Sequence, residues 1–176
     1  MTMAPSQMGA FTKSNDRHGT PNLQFHIQPL SLPKFGEAMH AFPAMTISVC
    51  NLRPDSRGSI HAVSPDPERQ PSIQPNYLDT ESDRITAIDS LRLVRRLVEQ
   101  PALAKFSPEE FLPGAQLTSD ADLANAAGDI GTTIFHPVGT CRMGPASDAL
   151  CVVDASLRVH GIGGLRVVDA SVMPTI

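Results

Sequence analysis

Proline limits what this chain can become more than any other residue. Sixteen of the 176 residues are proline, and most of them fall in the first 115. Each fixes its own φ, lacks a backbone donor and pushes the residue before it away from the helical region. Long helices and broad central strands are thereby excluded from most of that stretch, leaving short strands, edges and turns. Between the prolines, the hydrophobic pattern locates the strands. In "PNLQFHIQPL" (21–30), Leu23, Phe25 and Ile27 alternate with Gln24, His26 and Gln28, the period of a half-buried strand. In "AMTISVCNLRP" (44–54), Met45, Ile47 and Val49 alternate with Thr46, Ser48 and Cys50. "RGSIHAVSP" (57–65) reads as a third strand, and Gly and Pro between the three predict one antiparallel sheet.

One stretch has the other period. Ile85, Ile88, Leu91, Val94 and Val98 recur at spacings of three and four, with Arg92, Arg95 and Arg96 around the rest. That pattern predicts a helix over 83–99, with Asp83 able to cap its start and Pro101 marking its end. A second helix is predicted in "SDADLANAAGD" (119–129), capped by Ser119 or Asp120 and closing near Gly128. From residue 130 the texture changes. "TTIF", "CVVD", "LRVH" and "LRVVDAS" are short β-rich pieces between Gly, Pro and Asp turns, so a domain boundary is expected near residue 130.

Composition removes several classes of function. Apolar residues at 41% and charged residues at 18% allow a buried core. A net charge of −4 with no Lys/Arg run argues against a nucleic-acid surface. No run of 18 apolar residues offers a transmembrane span, and "MTMAPSQMGA" lacks the basic and apolar regions of a secretory signal. As it stands, the chain is expected in the cytoplasm. Cys50, Cys141 and Cys151 form no C-x-x-C and have no His at zinc-finger spacing, so free thiols and no structural metal are expected.

Six histidines are the remaining candidates for chemistry. His26 and His61 fall on the polar faces of predicted strands, His18 and His40 sit in loops, and His160 precedes Gly161 in a turn. His136 has a different setting, in "TTIFHPVGTCRMG". Pro137 disfavours helical backbone at His136, and Gly139 permits a sharp reversal. An imidazole held on such a turn can act as a general base near neutral pH, or serve as a structural residue; spacing alone leaves both open. The glycines of "HGIGGLRVVDAS" suggest a nucleotide loop but fail its pattern, because Arg166 occupies the third glycine position. A tight turn between two strands fits better.

"TTIFHPVGTCRMGP", followed by "CVVDASLRVHGIGGLRVVDASVMPTI", resembles the C-terminal region of the glucose–methanol–choline (GMC) flavoprotein oxidoreductases. The similarity runs back through "RPDSRGSIHAVSPDPERQPSIQPNYLDTESDRITAIDSLRLVRRL", which looks like the substrate-domain portion of that family, and covers residues 5–176. The resemblance implies an α+β fold. An antiparallel sheet backed by helices would form a substrate-binding domain over 1–130, and an incomplete α/β FAD-binding portion would follow over 131–176. It implies oxidation of a small alcohol, with FAD as cofactor. His136 matches the histidine that faces the flavin and takes the hydroxyl proton, and Phe135 matches a position that walls the substrate cavity. "VVDAS" (167–171) matches the turn that passes the cofactor, making Asp169 and Ala170 candidates for FAD contact.

Two departures qualify those implications. No G-x-G-x-x-G occurs in the sequence, and the second catalytic His or Asn of the family would lie beyond Ile176. The chain is therefore expected to be a fragment that by itself binds FAD weakly or not at all. The alternative is a non-catalytic module folded around the substrate-domain sheet.

Overall fold

The computed structural model describes residue 4, residues 6–33 and residues 36–176, so the expectation about the leader falls partly outside the described residues. The chain forms two compact units that interleave in sequence. One combines residues 1–55 with 78–131, the other 56–77 with 132–176. The segment 56–77 thus groups with the C-terminal residues rather than with its neighbours on either side.

The first unit is a sheet-and-helix unit. Strands β1 (Met8–Thr12), β2 (Leu23–Gln28) and β3 (Thr46–Asn51) form an antiparallel sheet in that order. The alternation in β2 works as its sequence predicts. Leu23 and Phe25 are buried while Gln24 and His26 are only half-buried, and Phe25 lies between Ala10 and Val49 in register. In β1, Met8 and Phe11 fall on opposite faces and both stay exposed. No period marks this edge strand, and only pairing with β2 makes it one.

Helix α1 (Glu81–Val98) packs on β3 and on helix α3 (Asp120–Ile130). Its cap is Thr80, not Asp83. Thr80 is extended, and its hydroxyl accepts from the Asp83 N–H in the first turn. Asp83 is buried and does something else. Its Oδ1 accepts from Asn51 Nδ2 at 3.1 Å and from the Asp55 N–H at 3.0 Å, tying the helix start to the end of β3. Of the predicted apolar face, Ile88 is buried and Ile85, Leu91, Val94 and Val98 are half-buried. Thr86 and Ser90 are buried too, with the Ser90 hydroxyl donating to the Thr86 carbonyl at 2.7 Å. A helix covered on two sides hides residues outside a single stripe.

Pro101 follows the end of α1 as predicted, but it also opens a short helix α2 (Pro101–Ala104), where its missing N–H costs nothing. Ser119 caps α3, accepting from the Asp122 N–H, and Leu123 and Ala126 are its buried residues. Arg95 closes the 110–117 loop. Its guanidinium makes a two-pronged bond to Glu110 at 2.8 Å and donates to the carbonyls of Leu117 and Gly114. This pairing, led by the Arg95 hydrogen bonds, holds the Glu110 carboxyl below its ordinary range.

The second unit is built mostly of turns. Strands β4 (Ser59–His61) and β5 (Ser72–Gln74) pair with each other, so the third predicted strand does not join the sheet of the other two. Its pairing partner is local in sequence, and Ile60 and Ile73 face each other while remaining exposed. The β-rich pieces expected after residue 130 reduce to single bridges, Met143 with Val153, Val153 with Val159 and Arg158 with Arg166. Turn chemistry interrupts them before a ladder can extend. Asp154, for example, accepts from the Ser156 and Arg158 N–H groups and from the Arg158 guanidinium. Val153 is the one buried residue of this unit.

Candidate functional site

His136 sits in the second unit, at the exposed end of a constrained turn. Phe135 has φ +62°, a left-handed conformation that costs a non-glycine residue free energy, and its N–H donates to the Thr133 hydroxyl at 3.0 Å. Pro137 follows His136, and Gly139 takes φ +87°. The combination turns the ring of Phe135 out to 75% exposure and leaves His136 exposed beside it. Among the described residues no group hydrogen-bonds the His136 imidazole.

The strand-like segment after Gly139 anchors this turn. The Cys141 N–H donates to the Ser171 carbonyl at 3.0 Å, and the Met143 N–H donates to the Val172 carbonyl at 2.9 Å. At φ +87° Gly139 takes a backbone conformation that favours glycine, while a Cβ there would meet the Met173 carbonyl oxygen only at ordinary contact distance. The histidine turn and the 169–172 turn are thus fastened together within one unit. At the second turn, Ala170–Val172 is a single 3₁₀ turn capped by Asp169. The Asp169 carboxylate accepts from the Ser171 hydroxyl and from the Ser171 N–H at 2.8 Å, and these bonds hold its carboxyl below the usual range. Asp169 and Ala170 are both exposed. All four residues singled out in the sequence therefore lie on two linked, accessible turns.

Behind them lies a support the sequence did not advertise. His160 donates its Nε2–H to the Gly144 carbonyl at 3.0 Å, while its own N–H bonds the Val152 carbonyl, so this histidine is structural. The Cys151 sulfur would lie 2.2 Å from a Cβ on Gly144, which explains the glycine there. Arg142 pairs with Asp148, whose carboxyl is lowered first by the Leu150 N–H and then by the Cys151 thiol. These contacts are made within 142–160 by turn residues that follow no hydrophobic period, so no pattern in the sequence reveals them. The turn at 161–164 fits its sequence reading, with Gly161 and Gly164 at positive φ and the Val159 N–H closing on the Leu165 carbonyl. Cys50, Cys141 and Cys151 are free, half-buried thiols. Among the described residues there is no His/Cys/Asp/Glu cluster able to hold a metal, and no helix is long and apolar enough to cross a membrane.

A family model for GMC oxidoreductases matches residues 54–176. The oxygen-dependent choline dehydrogenase 1 of Chromohalobacter salexigens is 38% identical over 170 residues, which cover 97% of this chain and 30% of that protein. The alcohol dehydrogenase (acceptor) of Pseudomonas putida is 39% identical over 176 residues, covering 100% of this chain and 32% of that one. Among solved structures, pyridoxine 4-oxidase from Mesorbium loti superposes with a TM-score of 0.85 at 30% identity, covering 98% of this chain and 34% of its own. A formate oxidase variant of Aspergillus oryzae RIB40, determined for its FAD modification, gives 0.74 at 30% identity over 90% of this chain and 28% of its own. The chain spans about a third of the length of the curated relatives it matches.

Proposed function

The chain belongs to the GMC oxidoreductase family, and from that premise we propose that it forms the C-terminal part of an FAD-dependent enzyme oxidising the CH–OH group of a small alcohol. In this reading residues 1–130 contribute the substrate-binding side and 131–176 the part that meets the flavin. His136 accepts the substrate hydroxyl proton. Loss of that proton as the carbon-bound hydride departs avoids a protonated carbonyl, and a positioned base is worth about 10²–10⁴-fold in rate. FAD, when bound, supplies the two-electron acceptor.

The observation that carries the reading is the linkage of the two turns. A free, exposed imidazole on 135–139 and the capped turn at 169–172 are held together through Cys141–Ser171 and Met143–Val172. Phe135 presents an exposed apolar ring on the same turn as the base. The residues at the second turn suit the less charged end of a flavin nucleotide. Ala170 is exposed and carries only a methyl group, leaving backbone within reach. Asp169, held ionised by Ser171, can accept from a hydroxyl but would repel a pyrophosphate. The names of the relatives, choline dehydrogenase and alcohol dehydrogenase, support small CH–OH donors as the substrate class.

The test is His136→Ala in a full-length protein carrying this segment, followed by stopped-flow. Flavin reduction should slow by about 10²-fold or more, with FAD content nearly unchanged. Unaltered reduction would remove His136 from the role. A second reading, that the 176-residue chain alone is a non-catalytic module, is favoured by the single buried residue of the unit that would meet the flavin. Stoichiometric flavin absorbance in the purified chain would exclude it.

A further inference from the structure

The use of His136 as a base depends on where its imidazole points, and that direction begins one residue earlier. Phe135 sits at φ +62°. For a residue with a side chain, this left-handed backbone crowds Cβ against the following carbonyl and costs free energy. Such a residue persists only where its surroundings hold it, and it commonly marks a place where the chain must be aimed. On the upstream side Phe135 is held by its own N–H, which donates to the Thr133 hydroxyl at 3.0 Å. A hydroxyl that reaches the backbone two residues on closes a short side-chain turn, a local alternative to helix or strand. Threonine suits the task, because its branched Cβ limits χ1 and keeps the hydroxyl aimed. Thr133 itself is half-buried, while Ile134, Phe135 and His136 are exposed.

The downstream side is fixed separately. Pro137 sets its own φ and keeps His136 out of the helical region. Gly139 takes φ +87°, the Arg142 N–H closes on the Gly139 carbonyl at 3.3 Å, and the Cys141 N–H reaches the Ser171 carbonyl at 3.0 Å. His136 is thus set from both directions, by a side-chain turn before it and a left-handed glycine after it. The two clamps differ in kind. Gly139 holds a positive φ without help, whereas Phe135 holds one only against steric cost. The bond to Thr133 joins residues two apart, so it belongs to this segment whatever surrounds it.

We infer that Thr133 is a positioning residue: its hydroxyl holds Phe135 left-handed and so sets the direction from which His136 meets the substrate hydroxyl. The inference rests on the base role proposed for His136 above. Thr133 acts through the backbone and not on the substrate. A reacting group displaced by about 1 Å can lose on the order of 10²-fold in rate.

The experiment uses a full-length protein carrying this segment, with choline, pyridoxine and ethanol tried as the reducing alcohol and the fastest retained. Thr133→Val keeps the shape of the side chain and removes the acceptor. Its limiting rate of flavin reduction should fall by about tenfold or more, while FAD content and the Kd for the alcohol change by less than about twofold. Thr133→Ser, which keeps the hydroxyl, should bring the rate back to within about threefold of wild type. The decisive comparison is made in a Phe135→Gly background, where glycine takes the left-handed conformation unaided. There Thr133→Val should change the rate by less than about twofold. A crystal structure of the single Thr133→Val variant should show Phe135 outside the left-handed region. An equal loss in both backgrounds would overturn the inference. So would a Thr133→Ser enzyme as slow as Thr133→Val, or Phe135 still left-handed in the valine variant. His136→Ala separates this failure from that of the reading beneath it. Reduction slowed by His136→Ala but untouched by Thr133→Val would overturn the positioning role and leave the base in place. Reduction untouched by His136→Ala would remove the base and the positioning role together.

Discussion

The two units of this chain solve the same problem in opposite ways. In the first, the hydrophobic period matches the secondary structure: Leu23 and Phe25 come inward from a strand, Ile88, Leu123 and Ala126 from two helices. Charged residues there are plentiful, fourteen across 81–130, and Arg95 and Glu110 use theirs to close a loop. In the second, backbone turns and side-chain caps do most of the holding, and one valine is buried. The difference teaches that local hydrogen-bonded turns can give a segment a defined course without giving it an interior. Burial supplies most of the favourable free energy of folding, and most of the chain's buried side chains lie in the first unit.

The sharpest way to break this contrast is to remove one buried side chain from each unit. Leu123→Ala should cost about 2–5 kcal/mol, read from urea unfolding of the first unit. Val153→Ala in the isolated chain should cost well under about 1 kcal/mol by the same measure, because little cooperative structure depends on it. Equal costs would abolish the distinction.

A smaller effect comes from the ion pair. Arg95→Ala strips Glu110 of its main partner and frees two loop carbonyls, at about 2 kcal/mol for bonds to charged groups at a site only one-fifth exposed. The pH dependence follows from the direction of the shift. Because the folded-state carboxyl of Glu110 titrates below its unfolded value, the contribution is complete above the ordinary glutamate range near about pH 4.3. It is lost as pH falls from there through the lowered folded value. Thermal denaturation of wild type and Arg95→Ala should therefore draw closer at low pH, leaving the part due to the Leu117 and Gly114 carbonyls. A gap that did not narrow at all would assign the effect to those carbonyl bonds and to packing rather than to the Glu110 charge.

A further small change in stability is expected at the candidate site. Phe135→Gly relieves the left-handed strain at φ +62° but loosens the unfolded chain, so the two effects should cancel to within about 1 kcal/mol. On the proposed function, the same change in a full-length protein should still slow turnover, since the ring beside the base is gone. Loss of stability without loss of turnover would make Phe135 a structural residue.

Much of the first unit was legible because periodicity is a local property. β2, β3, α1 and α3 each carry their buried face in their own residues. The exceptions have physical causes. β1 has no alternating face and exists through its bonds to β2. Asp83 looks like a cap from its place before an apolar run, yet a cap must be extended and one turn earlier, where Thr80 stands. At the candidate site, Pro137 and Gly139 announced a constrained turn around His136, but nothing near them announced its attachment to 171–172. That attachment needs two segments some thirty residues apart to meet.

By itself, then, the amino-acid sequence determined the family, the α+β class, the principal strands and helices, and the four residues proposed for the chemistry. Period, capping residues and backbone-restricting neighbours act over a few residues and leave their mark in order along the chain. Tertiary structure alone decided that 56–77 groups with the C-terminal segment, that β4 pairs with β5 outside the main sheet, and that the β-rich tail resolves into turns around Val153. These outcomes depend on which distant backbone groups satisfy one another and on how much apolar surface each unit can bury, quantities that no short stretch of sequence contains.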